Sequence, residues 1–140
     1  MRLFIDTGPL SAFYNKRDRD HPSAVETFRK IAKRDTSYRS LYTSDYVLDE
    51  AVTLLRARTR NHKLSVQLGT DILTSKTIIL LKTDDEALMG SWDLYKQRSD
   101  VALSFTDSTI AFLAKKHFIS DIFSYDAHFG TLGFHVLNRL

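Results

Sequence analysis

Two short apolar segments of this chain run directly into an aspartate. The run Leu3–Ile5 leads into Asp6 and then a turn, and the segment Ile122–Tyr125 leads into Asp126. An unpaired carboxylate is costly to bury, so each aspartate needs a partner where its strand leaves the core. Open α/β sheets place their functional groups at the carboxyl ends of strands. The two aspartates therefore predict a shared acidic crevice.

A third acid, Glu50, lies on a predicted helix that runs from Asp45 to about Arg58 and is capped by Ser44. Glu50 falls at the edge of the apolar stripe of this helix, whereas Asp49 points further round towards water. The buried stripe is predicted to consist of Val47, Leu48, Ala51 and Leu55. Taken alone, Glu50 also fits an ordinary solvated helix residue.

A fourth acid, Asp107, lies near the start of a helix predicted over Ser104–Lys116. It shares a face with Ala111 and Ala114, whose small side chains allow close packing. It also follows Ser104 by three residues, which is the spacing of a capping box. Both roles are compatible, because a helix amino terminus favours negative charge.

Strand patterns alternate with helical patterns along the rest of the chain. Further helices are predicted at Pro9–Tyr14, from Pro22, around Leu64–Leu73 and at Ala87–Lys96, with strands at Leu41–Thr43, Thr77–Leu81 and Phe134–Leu137. The apolar run Thr77–Leu81 is predicted to be buried. This alternation favours a parallel sheet with helices on both faces, in one domain spanning residues 1–140.

The composition is that of a soluble globular protein. Of 140 residues, 43% are hydrophobic and 26% charged, with a net charge of +3. The absence of cysteine excludes disulfides and thiolate metal sites, and the histidines lack zinc-ligand spacing. No apolar run approaches the roughly 20 residues of a membrane helix, so a cytoplasmic location without membrane association is expected.

Four segments in order, FIDTGPL, TSDYVLDEAVTLL, LSFTDSTIAFLA and IFSYDAHF, carry a family resemblance. Over essentially the whole chain, the sequence resembles the PIN-domain nucleases, most closely the small prokaryotic toxins of the VapC type. The resemblance implies a Rossmann-like three-layer α/β/α sandwich with a central parallel sheet. It also implies a metal site built from Asp6, Glu50, Asp107 and Asp126, supported by the polar side chains of Thr7 and Ser104.

The implied activity is divalent-metal-dependent hydrolysis of RNA phosphodiester bonds. Clustered carboxylates need a cation, and oxygen-only ligands favour Mg²⁺ or Mn²⁺. Asp6 and Asp107 are expected to contact the ion directly and Asp126 directly or through water, with Glu50 orienting or deprotonating the attacking water. As the toxin of a type II toxin–antitoxin pair, the protein would bind RNA, a cognate antitoxin and a second copy of itself.

The substrate requires positive charge near these acids. The stretch RARTRNHK follows the Glu50 helix and supplies candidate nucleic-acid contacts at Arg56, Arg58, Arg60 and Lys63. Cations at a helix carboxyl end also complement the helix dipole, which is an equally good explanation of this stretch. A homodimer would bury part of an apolar stripe, either Leu88, Trp92 and Tyr95 or Leu64, Leu68 and Ile72.

Other protein classes fit less well. D-T-G after an apolar strand also occurs in aspartic proteases, but that enzyme needs two such triplets in an all-β fold. A haloacid-dehalogenase-type phosphatase needs D-x-D after the first strand, and this chain has Gly8 in place of the second aspartate. A non-catalytic PIN-like nucleic-acid or protein binding module, and a PIN nuclease of RNA processing outside a toxin–antitoxin system, remain the alternatives.

Overall fold

A single all-parallel sheet forms the centre of the protein. The structure is a computed structural model that describes residues 1–140. The strands are β1 (Arg2–Ile5), β2 (Ser40–Ser44), β3 (Ile78–Leu81), β4 (Asp121–Phe123) and β5 (His135–Leu137). Their order in the sheet is β3-β2-β1-β4-β5, which places β1 at the centre.

Seven helices connect and cover the strands. They are α1 (Thr7–Tyr14), α2 (His21–Ala32), α3 (Asp45–Thr59), α4 (His62–Thr74), α5 (Asp85–Gln97), α6 (Phe105–Lys116) and α7 (His128–Thr131). None of them is long and apolar enough to cross a bilayer. The predicted three-layer α/β/α sandwich is confirmed.

The burial of β1 shows that helices cover both faces of the sheet. Leu3, Phe4 and Ile5 are all completely buried. Successive side chains of a strand point to opposite faces, so three consecutive buried residues mean that both faces of the strand are covered. The central strand therefore ends in a dry environment, and the residue that follows it, Asp6, is itself only 7% exposed.

Two predicted elements near the site have different bounds in the structure, and one helix was not predicted. Helix α1 begins at Thr7 and not at Pro9, because the Asp6 side chain accepts a hydrogen bond from the Thr7 N–H and caps the helix earlier. Strand β4 covers Asp121–Phe123, so Ser124 and Tyr125 lie beyond its end. The four-residue helix α7 was not predicted.

The prediction of a buried strand at Thr77–Leu81 is wrong in its burial and by one residue in its start. Strand β3 lies at the edge of the sheet and pairs only with β2. Ile79 is 49% exposed as a result. An apolar run indicates a strand, but it does not reveal whether that strand has one neighbour or two.

Helices α5 and α6 pack closely where a glycine faces a phenyl ring. A Cβ atom built on Gly90 would lie 2.1 Å from a ring carbon of Phe112. Helix α6 also carries Asp107, so this contact helps to fix the position of one of the candidate site residues.

Candidate active site

Asp6 and Asp126 leave the sheet at the same edge. Strands β1 and β4 are parallel neighbours with Ile5 opposite Phe123. The Asp6 N–H donates to the Phe123 carbonyl at 3.0 Å, which adds one hydrogen bond to those between β1 and β4. The crevice predicted from two strand-ending aspartates therefore follows from the register of the central strand pair.

The carboxylate of Asp6 is buried and hydrogen-bonded on both oxygens. Oδ1 accepts from the Thr7 N–H and Oδ2 from the Ser124 hydroxyl, each at 2.7 Å. Burial, with smaller contributions from the negative charges of Asp107 and Glu50, nevertheless raises the pKa of Asp6 to about 7 against the effect of these two hydrogen bonds. The site thus holds a carboxylate that a cation would stabilise.

Asp107 forms the predicted capping box and also lies near two of the other acids. Its N–H donates to Ser104 Oγ and its Oδ2 accepts from the Ser104 N–H, both at 3.0 Å, which is a complete capping box at the start of α6. Burial raises the pKa of Asp107, and repulsion from Asp126 and Glu50 adds to the effect. Asp107 therefore caps α6 and is also close enough to Asp126 and Glu50 for their charges to raise its pKa.

Glu50 and Asp49 lie on α3 as the helical pattern indicates. Glu50 is half-buried and Asp49 is exposed. Helix α3 follows β2 without a break, and the Ser44 hydroxyl caps it by accepting from the Val47 N–H at 3.3 Å. This cap fixes the start of the helix, so its second turn brings Glu50 to the carboxyl edge of the sheet.

Ser124 links two of the acids and was missed from the sequence. Its hydroxyl donates to Asp6 and accepts from the Asp126 N–H at 2.9 Å. Asp126 in turn accepts at 2.9 Å from the His128 N–H, and His128 Nδ1 lies at the same distance from the same oxygen. The available signal was a serine two residues before an aspartate at a strand end, the spacing of a local side-chain cap.

All four acids line one open cleft of about 840 Å³, which we call the acidic cleft. Thr7 and Ser104, the two predicted supporting residues, line it as well. Its charged residues are six acids, Asp6, Asp18, Asp20, Glu50, Asp107 and Asp126, and three arginines, Arg17, Arg19 and Arg58. The acids outnumber the arginines, so phosphate would be repelled from the centre of this cleft without a further cation.

A comparison with protein-family models identifies the family of the chain. The family model described as "PIN domain" matches residues 3–134. The chain belongs to the PIN-domain family. A search of the curated proteins gave no significant match.

Solved structures share the PIN fold over nearly the whole chain. Mycobacterium tuberculosis VapC20, described as a sarcin–ricin loop cleaving toxin, is 25% identical with a TM-score of 0.83, covering 94% of this chain and 95% of VapC20. Rickettsia felis VapBC2, bound to a DNA fragment from its own promoter, is 15% identical with a TM-score of 0.69 and 98% coverage of both chains. Neisseria gonorrhoeae FitAcB is 19% identical with a TM-score of 0.64, covering 97% of this chain and 96% of that one.

The structure separates the basic residues that the sequence groups together in this PIN domain. Arg58 lines the acidic cleft, where it lies 3.8 Å from Asp18. Arg56 and Arg60 line a different groove of about 950 Å³ between α3 and α4, which contains no carboxylate. Lys63 lines neither cavity. Only Arg58 of this set is adjacent to the acids.

The donor set of the acidic cleft fits a hydrated divalent cation. The carboxylates are hard oxygen donors, and the hydroxyl of Thr7 is buried without a hydrogen-bond partner. No three His, Asp or Glu side chains are grouped closely enough to hold one ion. Mg²⁺ ordinarily takes one or two carboxylates and keeps several waters, so this spacing suits a largely water-mediated site.

Proposed function

We propose that this PIN domain is an endoribonuclease that hydrolyses RNA phosphodiester bonds with Mg²⁺ or Mn²⁺. The observation that carries the proposal is the convergence of four acids from four separate parts of the chain on one open cleft. Two of them have a raised pKa, partly because of the other acids. Structural needs alone do not explain such mutual repulsion, whereas an ion site does.

Asp6 and Asp107 are the proposed direct ligands, with Asp126 and Glu50 acting through water. When bound, the ion supplies positive charge to the scissile phosphate and lowers the pKa of a bound water. Glu50 accepts the proton of the attacking water, since it is the more accessible of the two acids that lie on helices. Ser124 and the Thr7 N–H keep Asp6 oriented throughout.

We further propose that the protein is the toxin of a toxin–antitoxin pair. The support is the likeness to VapC20, a toxin that cleaves the sarcin–ricin loop, and to VapBC2, bound to DNA of its own promoter. By the same likeness, a small cognate antitoxin is the proposed protein partner. A gene for a small DNA-binding protein beside this one would support the assignment, and inhibition of the nuclease by its purified product would test it.

The catalytic proposal is tested with isosteric substitutions. Asp6→Asn and Asp107→Asn each remove a negative ligand while retaining an oxygen that can cap the helix. We expect both variants to fold and to lose metal-dependent cleavage of single-stranded RNA by at least about 100-fold, the scale of a lost catalytic group. Initial rates on one RNA oligonucleotide, with Mg²⁺, Mn²⁺ or chelator, provide the measurement.

Asp49→Asn is the matched control, since Asp49 adjoins Glu50 on the same helix but is exposed. This variant should cleave at nearly the wild-type rate. Wild-type cleavage by Asp6→Asn or Asp107→Asn would refute the assigned site. A DNA oligonucleotide of the same sequence serves as a second substrate. Equal cleavage of both oligonucleotides would show that the nuclease is not specific for RNA.

A further inference from the structure

A second, smaller cleft adjoins the acidic cleft. It measures about 410 Å³ and is lined by Arg19, Asp20, Ser23, Tyr125, Asn138 and Arg139. Arg19, Asp20 and Tyr125 line both cavities, so the two are continuous. Because it contains two arginines and one carboxylate, its balance of charge is opposite to that of the acidic cleft. We call it the arginine cleft.

The two arginines are largely free to bind a ligand. The side chain of Arg19 is 93% exposed, and its only carboxylate neighbour, Asp20, lies at 3.7 Å. Arg139 is exposed and has no carboxylate within salt-bridge distance. Arginine presents its donors as a planar fork that matches the oxygens of a phosphate.

Tyr125 connects the two cavities. Its hydroxyl is buried and has no hydrogen-bond partner in the protein. A tyrosine hydroxyl carries a proton that it can donate to a hydrogen bond. An anionic oxygen at the boundary between the clefts would satisfy this donor, which otherwise costs free energy.

We propose that the arginine cleft binds a backbone phosphate of the RNA strand, next to the scissile phosphate in the acidic cleft. The inference rests on the proposed function and assigns a substrate subsite within it. The six acids of the acidic cleft outnumber its three arginines and repel a polyanion, so affinity also has to come from cations at the border of this cleft and beyond it. Arg19 lies at the border that the two clefts share and Arg139 lies beyond it in the arginine cleft, whereas Arg56 and Arg60 lie in a separate groove.

The double variant Arg19→Ala/Arg139→Ala tests the subsite by binding in chelator, where no cleavage occurs. Single-stranded RNA affinity, measured by fluorescence anisotropy over a range of salt, should fall. The slope of log K against log salt should flatten by about 0.7, the contribution of one phosphate contact on a single strand. Tyr125→Phe should weaken binding by a few-fold without changing this slope.

Lys33→Ala/Lys76→Ala is the matched control for charge. Both lysines are exposed; Lys33 ends α2 and Lys76 precedes β3, at the amino edge of the sheet and opposite the clefts. This variant also removes two positive charges, but its salt slope should equal that of the wild type. Melting curves of all variants establish that each is folded.

Substrate length provides an independent test that a structural role would not affect. Trimming the RNA one nucleotide at a time from either end should reduce kcat/KM of the wild type sharply at one flanking position. The double variant should be insensitive to that same truncation. A wild-type salt slope and a retained truncation effect in Arg19→Ala/Arg139→Ala would overturn the subsite.

Loss of binding to an acidic protein partner, with RNA binding unchanged, would likewise overturn the subsite and assign the cleft to that partner. Failure of the proposed function has a different signature, since the wild type would then show no cleavage, or Asp6→Asn would cleave as well as the wild type.

Discussion

At the scale of single residues, Asp6 is subject to opposing effects on its protonation. Hydrogen bonds from Thr7 and Ser124 favour the carboxylate, but burial and the nearby acids outweigh them. The consequence is a carboxyl group with a pKa of about 7, where the ordinary value is 3.8. Such a group binds its proton more tightly in the folded protein than in the unfolded chain.

This raised pKa predicts how stability depends on pH in the absence of metal. Between about pH 4 and pH 7 the folded state holds a proton that the unfolded state has released, so the free energy of unfolding falls as pH rises. Over this pH range the free energy of unfolding falls by on the order of 4 kcal/mol because of Asp6, since each unit of pKa shift corresponds to about 1.36 kcal/mol. Asp6→Asn removes this dependence and should therefore be the more stable protein at pH 8.

Urea unfolding of wild type and Asp6→Asn at pH 4, 6 and 8, in chelator, provides the measurement. The two proteins should differ least at pH 4 and most at pH 8. Parallel curves across this range would show that Asp6 titrates normally.

A magnesium titration distinguishes the two roles of Asp107. Without metal, Asp107→Asn relieves repulsion among the acids and should melt above the wild type. Mg²⁺ at a hundredfold excess over its Kd should stabilise the wild type by about 2.7 kcal/mol. The variant lacks a ligand and should gain less, so the two series of melting temperatures should converge or cross. An Asp107 that only caps α6 would instead give equal Mg²⁺ gains.

At the scale of elements, the position of α6 depends on its contact with α5. Gly90→Ala would normally favour a helix by up to about 1 kcal/mol. Here the new Cβ would meet the Phe112 ring at 2.1 Å, so the ring or the helix has to move. We expect a net loss of about 1–3 kcal/mol, typical of overpacking, together with lower nuclease activity because α6 carries Asp107.

Chemical denaturation measures this effect, with Gly130→Ala as its control, since nothing lies within 4 Å of a Cβ at that position. A second substitution, Phe112→Ala, should remove most of the penalty of Gly90→Ala. If Gly90→Ala is as stable as the wild type in the presence of Phe112, the close packing of α5 and α6 is more adaptable than the structure indicates.

Two kinds of feature could be predicted from the sequence: those that depend on a local residue pattern, and those that follow from the position of functional groups at the carboxyl ends of parallel strands. Asp6 and Asp126 follow two neighbouring strands, so their convergence required only a parallel sheet. The place of Glu50 and Asp107 in the same site was implied by the resemblance to the PIN-domain nucleases. Arg19 and Arg139 are 120 positions apart in the chain, and no local pattern shows that they share a cavity.

The same limit applies to elements whose character depends on their neighbours. The exposure of β3 depends on its edge position, and the boundaries of β4 and α7 depend on hydrogen bonds of Ser124 and Asp126. These are tertiary properties, so the strand pattern alone did not reveal them.

At the scale of the whole molecule, α5 presents an apolar surface that suits a second copy of the chain. Four of its side chains, Leu88, Met89, Trp92 and Tyr95, are between 37% and 58% exposed. The rival stripe on α4 is largely core, because Leu68 and Ile72 are buried within one chain. The predicted homodimer is therefore proposed to form through α5, since exposed aromatic and methionine side chains are typical of interfaces.

Sedimentation at micromolar concentration tests this interface. The wild type should be a dimer and Trp92→Ala/Tyr95→Ala a folded monomer. A control, Val66→Ala/Leu73→Ala, removes two exposed apolar side chains of α4 and should remain dimeric. A monomeric wild type would contradict the assembly.

The strand order has a consequence for the time at which activity appears during synthesis. Strand β4 lies beside the central strand but follows it by more than 100 residues, and Asp126 comes later still. The ribosome therefore has to translate beyond Asp126 before the acids assemble, although Asp6 emerges first. A nascent chain arrested near residue 120 should cleave no RNA, while one lengthened by a carboxyl-terminal linker until β5 has left the ribosome should be active. The late arrival of β4 would thus protect the translating ribosome and its message from the enzyme being made.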